Sequence, residues 1–376
     1  MVMENKIQKE VFPGACSCMT LTSKSGKHYW FRTCDIDTDI WKEKAHVVNQ
    51  PAGSRIVYGN EKKETCRYSF TGMTYNALDT WLLDGVNEQG LCGGLLMLYE
   101  GTSVEKPEEG REGYIGMELV TKILSSCKDV EEVIALTEQI QVLHIPFGNQ
   151  KVKATTHYFF TDESGNEVIL EATDTTKPGI LKIFPQNEIL GIMTNSPPYK
   201  EQLQNLTWFL SQSPELNQRK NEQDIAERKP EVDGQAVGRN RTDKAKQDIV
   251  SLTLDGRAVV ADENAKHLSL NGTFPASYAS YDRFIRLAVI KALNDSGNHF
   301  EDEKMLALGS GIMNAVWEPP TQGVFHYTRI QEDGKVIGQK NSFTQYISMY
   351  DMMERCFYMK KYDEIGWKKY FQLDFP

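Results

Sequence analysis

The residues most able to do chemistry lie near the start of the chain: Cys16 in Ala15-Cys16-Ser17-Cys18, followed by Gly26, Arg32 and Asp35. A cysteine exposed as a new N-terminus carries its own general base, because an α-amino group titrates near ~7.7–8.0 and sits one residue from its own thiol. That chemistry requires removal of Met1 to Ala15, and a small residue such as Ala15 before the thiol is compatible with self-cleavage. Whether the trimming is autocatalytic stays open at this point. A nearby Asp would hold the amine, while an Arg would lower the thiol pKa and bind charge in the transition state. Arg32 and Asp35 can serve if their strand runs beside the one carrying Cys16. Taken alone, a cysteine in this region is more often a small buried residue. A Cys-x-Cys metal site is not expected, since no second Cys or His pair at zinc spacing accompanies it.

The elements that must position these residues begin in β structure. His28-Tyr29-Trp30-Phe31-Arg32 follows the turn Ser25-Gly26 and can pair with Met19 to Thr22 as a hairpin. Thr155 to Ala172 repeats the plan, with the cluster Asp162-Glu163-Ser164-Gly165-Asn166 between two apolar runs. Asp129 predicts an N-cap, with Glu132 three residues on and a helix to about Ile140; Ile115 to Ser125 and Tyr281 to Leu293 also read as helices. Val324 to Phe357 offers aromatic-rich strands around the turn Asp333-Gly334. The order β, α, β, α, β suits a sandwich of sheets and helices. From about Gln218 to Asp248 charged and amide residues dominate, which predicts an exposed insertion, either a solvated loop or an oligomerisation or lid element. No break in composition marks a domain boundary.

Composition narrows the function classes. The 376 residues are 40% hydrophobic and 25% charged, as in ordinary globular proteins. A net charge of −10 argues against nucleic acid as a main partner. No apolar run approaches the roughly 20 residues of a membrane span. Charges in Met1 to Ala15 stand where a signal peptide would be apolar, so a cytoplasmic location is expected. The seven cysteines are odd in number and dispersed, as free thiols of a reducing compartment would be. The seven histidines form no spaced cluster, and Trp30, Tyr158 and Phe159 are expected in sheet cores.

The run from Cys16 through Gly26, Arg32 and Asp35 resembles the N-terminal signature of the choloylglycine hydrolase family, the cysteine N-terminal-nucleophile hydrolases that include penicillin V acylases and conjugated bile acid hydrolases. Asp84-Gly85-Val86-Asn87-Glu88-Gln89-Gly90-Leu91 is similar to a second family segment, and Thr194-Asn195-Ser196-Pro197 to a third. Asp282-Arg283-Phe284-Ile285-Arg286 and Thr344-Gln345-Tyr346 resemble two more, in the family's order. The resemblance implies an α+β fold, an αββα four-layer sandwich, with residues 16–376 as one domain behind a removable segment 1–15. It implies Cys16 as nucleophile, Arg32 and Asp35 flanking amine and thiol, Asn195 donating to the oxyanion or amine, and Arg283 closing the charge network. Cofactors are expected to be none, and the assembly a homo-oligomer, a tetramer. Counting from Cys18 instead misses Gly26, Arg32 and Asp35 by two residues, so Cys18 reads as a pocket or core thiol.

Met97 is a departure, standing where conjugated bile acid hydrolases resemble one another in Asn and penicillin V acylases in Tyr. A Met side chain cannot donate to an oxyanion, which leaves the Met97 backbone N–H with Asn195. Gly90-Leu91-Cys92-Gly93-Gly94 is nearer the penicillin V acylase pattern. The implied reaction is hydrolysis of a small linear, non-peptide amide, acylase-like, with phenoxyacetyl amides as the first substrate class. Glycine- or taurine-conjugated bile acids are the alternative, N-acyl signalling lactones a further candidate. A non-catalytic binder that retains Met1 to Ala15 is the contrasting reading.

Overall fold

The computed structural model describes residues 14–36, 39–75, 78–147, 150–152, 156–211, 253–254, 257–258, 275, 277–320, 327–330, 336–340 and 342–373. The expected insertion at 218–248, residues 1–13 and the turn at Asp333-Gly334 lie outside them. In chain order the sheet strands are β1 (Gly14–Thr22), β2 (His28–Ile36), β3 (Val47–Gln50), β4 (Phe70–Thr74), β5 (Leu82–Asn87) and β6 (Cys92–Met97). There follow β7 (Thr156–Thr161), β8 (Glu167–Glu171), β9 (Lys182–Pro185), β10 (Ile192–Thr194), β11 (Phe343–Asp351), β12 (Cys356–Lys361) and β13 (Lys368–Gln372). The helices are α1 (Leu119–Ser126), α2 (Val130–Thr137), α3 (Tyr199–Ser211), α4 (Ser280–Leu293) and α5 (Met305–Asn314).

Two antiparallel sheets result. Seven strands run as a meander, β9-β8-β7-β6-β5-β4-β3, and six in the order β10-β1-β2-β11-β12-β13. Helices α1 and α2 cover the first sheet; α4 and α5 cover the second, with α3 packed on α4. The sheets meet face to face through Trp30, which lies so near Gly94 that a Cβ there would stand 3.0 Å from the indole. Each sheet is therefore buried on both sides, and β2 is buried without interruption from Tyr29 to Asp35. Continuous burial of this kind erases the polar alternation that a half-exposed strand would show.

The predicted hairpins form as read. Ser23 and Gly26 close the first, Gly26 taking a φ of +88° that a side chain would disfavour. In the second, the Asp162 carboxylate accepts from the backbone N–H of Ser164 and Asn166 and, at 3.1 Å, from Val130, joining the turn to the start of α2. Asp129 caps that helix through Glu132 N–H at 2.9 Å, as expected. The helix stops at Thr137 rather than near Ile140, because Ile140–Leu143 pairs in parallel with Glu112–Ile115. The segment at 115–125 is a 3-10 turn over Gly116–Glu118 leading into α1, with Ile115 still in a strand.

Candidate active site

The sequence segments converge at the β1/β2 hairpin. Cys16 stands opposite Cys34 and Cys18 opposite Arg32, so these four side chains share the face turned toward the seven-stranded sheet. Arg32 Nη2 lies 3.3 Å from Cys16 Sγ, and Nη1 donates to Leu83 O at 2.5 Å and to Asp84 Oδ2 at 3.0 Å. Asp84 also accepts from the hydroxyls of Tyr346, at 2.6 Å, and Tyr350. Arg32 and Asp84 are fully buried, and the ion pair with its tyrosine donors fixes the guanidinium where it faces the thiol. The Asp84–Leu91 segment owes its pattern to this geometry. Its acid holds Arg32; Gly85 lets Leu124 of α1 approach; Asn87 donates to Leu124 O and Cys127 O at the end of that helix.

On the opposite face, Ser17, Thr33 and Asp35 meet α4. Arg283 Nη1 donates to Cys16 O at 2.8 Å and to Ser17 Oγ at 2.7 Å, while Nη2 reaches Asn195 Oδ1 at 3.1 Å. Asp35 lies 3.5 Å from Arg283 and accepts from Thr33 Oγ1 and Thr344 Oγ1. A second buried acid, Glu318, has its Oε1 3.8 Å from Arg283 Nε. The Glu318 backbone is tied to Thr344 in both directions at 2.8 Å. Asn195 Oδ1 accepts from the Cys16 backbone N–H, and its Nδ2 donates to Met97 O at 3.1 Å. The loop after β10 is held by Gln202, whose amide donates to the carbonyls of Thr194 and Pro197 at 3.1 and 2.7 Å. Arg286 binds the carbonyls of Pro275, Ser277 and Ala315 and so fixes the approach to α4 rather than facing the thiol.

The electrostatics single out one thiol. Cys16 is held down to about 5, first by the Cys34 thiol, against the opposing effect of burial, and then by the Arg32 charge and the backbone of Asp35. Burial pushes Cys18 and Cys34 up instead. Cys18 Sγ points to Met193 O at 3.6 Å. Burial, with Glu318 and Cys16 nearby, raises Asp35 well above the carboxylate range, and burial raises Glu318 to about 7. A thiolate beside a fixed guanidinium is a nucleophile; donors and an amide nitrogen stand around it.

Cys16, Arg32, Asp35, Asn195 and Arg283 thus gather around one backbone nitrogen and one thiol, with Met97 and Cys18 at the margin. Asp84, Tyr350, Cys34 and Glu318 were given no role from sequence. Asp84 lay within a segment already singled out; Glu318, in Trp317-Glu318-Pro319, carried no signal. Among the described residues, no cluster of His, Cys, Asp and Glu could hold a metal ion, and no helix is long and apolar enough to cross a membrane.

Comparison with known proteins bears on the family and the fold. The chain is 26% identical over 199 residues to a bile salt hydrolase/transferase of Clostridium perfringens, covering 52% of this chain and 57% of that protein. It is 25% identical over 190 residues to one of Lactiplantibacillus plantarum, covering 50% and 56%. A penicillin V acylase of Pectobacterium atrosepticum is 29% identical over 123 residues, 32% of this chain and 31% of that one. The chain thus spans just over half the length of the two bile salt relatives. In fold it matches a conjugated bile acid hydrolase from Clostridium perfringens with a TM-score of 0.65 at 20% identity, over 94% of this chain and 92% of that one. It matches a penicillin V acylase from Agrobacterium tumefaciens at 0.60 and 17%, over 92% and 83%. The model of the family described as linear amide C–N hydrolases, choloylglycine hydrolase family, matches residues 16–238, more than half of the chain, which therefore belongs to that family.

Proposed function

We propose that the protein hydrolyses a small linear amide with Cys16 as nucleophile, after cleavage of the Ala15–Cys16 bond. The observation that carries the reading is the buried Arg32 guanidinium, fixed by Asp84 and aimed at Cys16 Sγ from 3.3 Å. The family match begins at the same residue. Cleavage would free the Cys16 nitrogen, which as an amide has no basic lone pair. The thiolate adds to the substrate carbonyl, the α-ammonium gives its proton to the departing amine, and a thioester remains. Water, losing a proton to the same amine, then releases the acid. Asn195 Nδ2 and the Met97 N–H are the proposed oxyanion donors, and Asp35 and Arg283 hold the nitrogen's surroundings.

For the acyl group, Met97 and the Gly90–Gly94 context favour a penicillin V acylase-like preference. The bile salt relatives, aligned over a longer stretch than the acylase, favour conjugated bile acids as the second reading. Intact-mass analysis of active protein, with hydrolysis of penicillin V and of glycine and taurine bile acid conjugates side by side, tests both parts. Active protein that still carries Met1 would remove the N-terminal mechanism. Loss of activity in Cys16→Ser but not in Cys18→Ser supports the nucleophile; equal loss in both would move it. We also propose a single domain over 16–376, a cytoplasmic location and assembly as a tetramer.

A further inference from the structure

The Cys34 thiol, which helps to keep Cys16 acidic, is placed directly across the strand pair from it. Facing residues of antiparallel strands have Cα atoms roughly 4.5–5.5 Å apart, inside the ~4.4–6.8 Å range of disulfides. Both residues are buried, and both are free thiols. Cys18 is not an equivalent partner. It lies two residues along the same strand, about 6.6 Å away between Cα atoms, too far for the Cβ separation of about 3.8 Å that a disulfide needs. Its sulfur is directed to Met193 O. Cys16 therefore has one thiol partner in reach across the hairpin, beside a guanidinium that favours its anion.

We propose that Cys16 and Cys34 form a peroxide-reactive dithiol, with hydroperoxides as a second class of reactant at this site. The Cys16 thiolate attacks one oxygen of the peroxide, the O–O bond breaks, and Cys16 becomes a sulfenic acid while the departing oxyanion takes a proton from water. The Cys34 sulfur then attacks the Cys16 sulfur, the S–O bond breaks, and the expelled hydroxide leaves as water with the Cys34 proton. The dithiol has lost two electrons and two protons, and the peroxide has been reduced by two electrons. A small dithiol reductant reverses the change by exchange. The strong asymmetry between an acidic Cys16 and a raised Cys34 suits a peroxidatic and a resolving thiol respectively. The inference rests on Cys16 as the reactive thiol, but neither on amide cleavage nor on removal of Met1 to Ala15.

The test treats purified protein with hydrogen peroxide, blocks remaining thiols with N-ethylmaleimide, and reads intact mass and a peptide map. The expected result is loss of two hydrogens per chain, a single Cys16–Cys34 crosslink, and full reversal by dithiothreitol. Cys18→Ser should behave the same way. Cys34→Ser, or Cys34→Ala, should instead carry two or three added oxygens on Cys16 that dithiothreitol does not remove. Wild-type protein that proceeds to such oxygen adducts without the crosslink, or that links Cys16 to another cysteine, would overturn the proposal. An amide panel on the same samples keeps the readings apart: an inactive protein that forms the crosslink counts against hydrolysis alone, and an active one that does not counts against the dithiol alone.

Discussion

Replacing Arg32 by glutamine tests what makes Cys16 acidic. The guanidinium lies 3.3 Å from the sulfur, and both are buried. At an effective dielectric of about 20, two unit charges at that distance interact by about 332/(20 × 3.3), or ~5 kcal/mol, equivalent to about 3.7 pKa units. The Asp84 carboxylate, 3.0 Å from the other side of the guanidinium, cancels part of that field. A net rise of roughly 2–3 units is therefore expected for the Cys16 thiol in Arg32→Gln. The Cys34 thiol is the other group that holds Cys16 down, so Cys34→Ala should raise the same pKa as well. The assay is the rate of iodoacetamide alkylation at Cys16, read by peptide mass from pH 4.5 to 9.5. The wild-type midpoint is expected near the value of about 5 that the site imposes. The glutamine variant also strands a buried Asp84 charge, a change that costs about 3–5 kcal/mol in comparable pairs. Arg32→Gln with Asp84→Asn removes both charges and leaves Tyr346 and Tyr350 an oxygen to donate to. A midpoint that moves by less than about half a unit in both variants, or that falls, would refute Arg32 as the charge that sets thiol acidity.

Asn195→Ala removes a proposed oxyanion donor and should lower kcat by roughly 10²–10³, whereas Met97→Ala keeps its backbone N–H and should alter substrate preference instead; steady-state kinetics on several acyl groups separates the two. Glu118, buried with Oε1 accepting from Gly59 N–H and Thr80, is raised by burial from 4.5 to about 7. Between those values the folded chain binds more protons than the unfolded one, so stability falls as pH rises; Glu118→Gln should remove about 1–3 kcal/mol of that fall in urea titrations from pH 4 to 8. Gly309 of α5 sits against Phe31, where an added Cβ would meet the ring at 2.0 Å. Gly309→Ala should therefore lower the thermal midpoint by a few degrees despite the better helix propensity of Ala, since overpacking costs about 1–3 kcal/mol.

What was legible in the sequence was local. The turn read at Ser25-Gly26, which the structure closes between Ser23 and Lys27, the Asp162 turn and the Asp129 cap each depend on side chains within a few residues of the backbone they serve, and each forms. The end of α2 was misplaced because Ile140 continues the apolar spacing of the helix but is claimed by a distant strand, Glu112–Ile115. Sheet order was not readable, since β2 finds its neighbour β11 more than three hundred residues on. The site divides the same way. Cys16, Arg32 and Asp35 are close in sequence, so their meeting across one hairpin was within reach of local reading. Asp84 lies in the Asp84–Leu91 segment, but only the stacking of the sheets brings it to Arg32. Glu318 had no local signature at all, as its carboxyl acquires meaning only from Arg283 and Asp35.

The charges around Cys16 N leave a question that the proposed cleavage answers. On the helix side Arg283 faces two carboxyls, Asp35 and Glu318, and the Arg286 charge also reaches Glu318, while the thiolate on the other side is served by Arg32. With the Ala15–Cys16 amide intact both acids tend to keep protons: burial raises each, Glu318 and Cys16 add to the rise of Asp35, and Cys16 adds to that of Glu318. Cleavage would place an ammonium where Cys16 N now meets Asn195 Oδ1, adding a positive charge within the same cluster. The pKa of Glu318 should then fall in the trimmed protein. A cycle measures it: Glu318→Gln is introduced into full-length Cys16→Ala and into a chain that begins at that alanine, and stability is followed from pH 4 to 8. In the full-length chain the substitution should remove a loss of stability between the ordinary Glu value of 4.5 and about 7, since an acid with a raised native pKa destabilises as it ionises. In the trimmed chain the substitution should have a smaller effect on that slope. Equal effects in the two backgrounds would mean that the ammonium does not reach Glu318, and that the surplus acid serves packing rather than the nitrogen of Cys16.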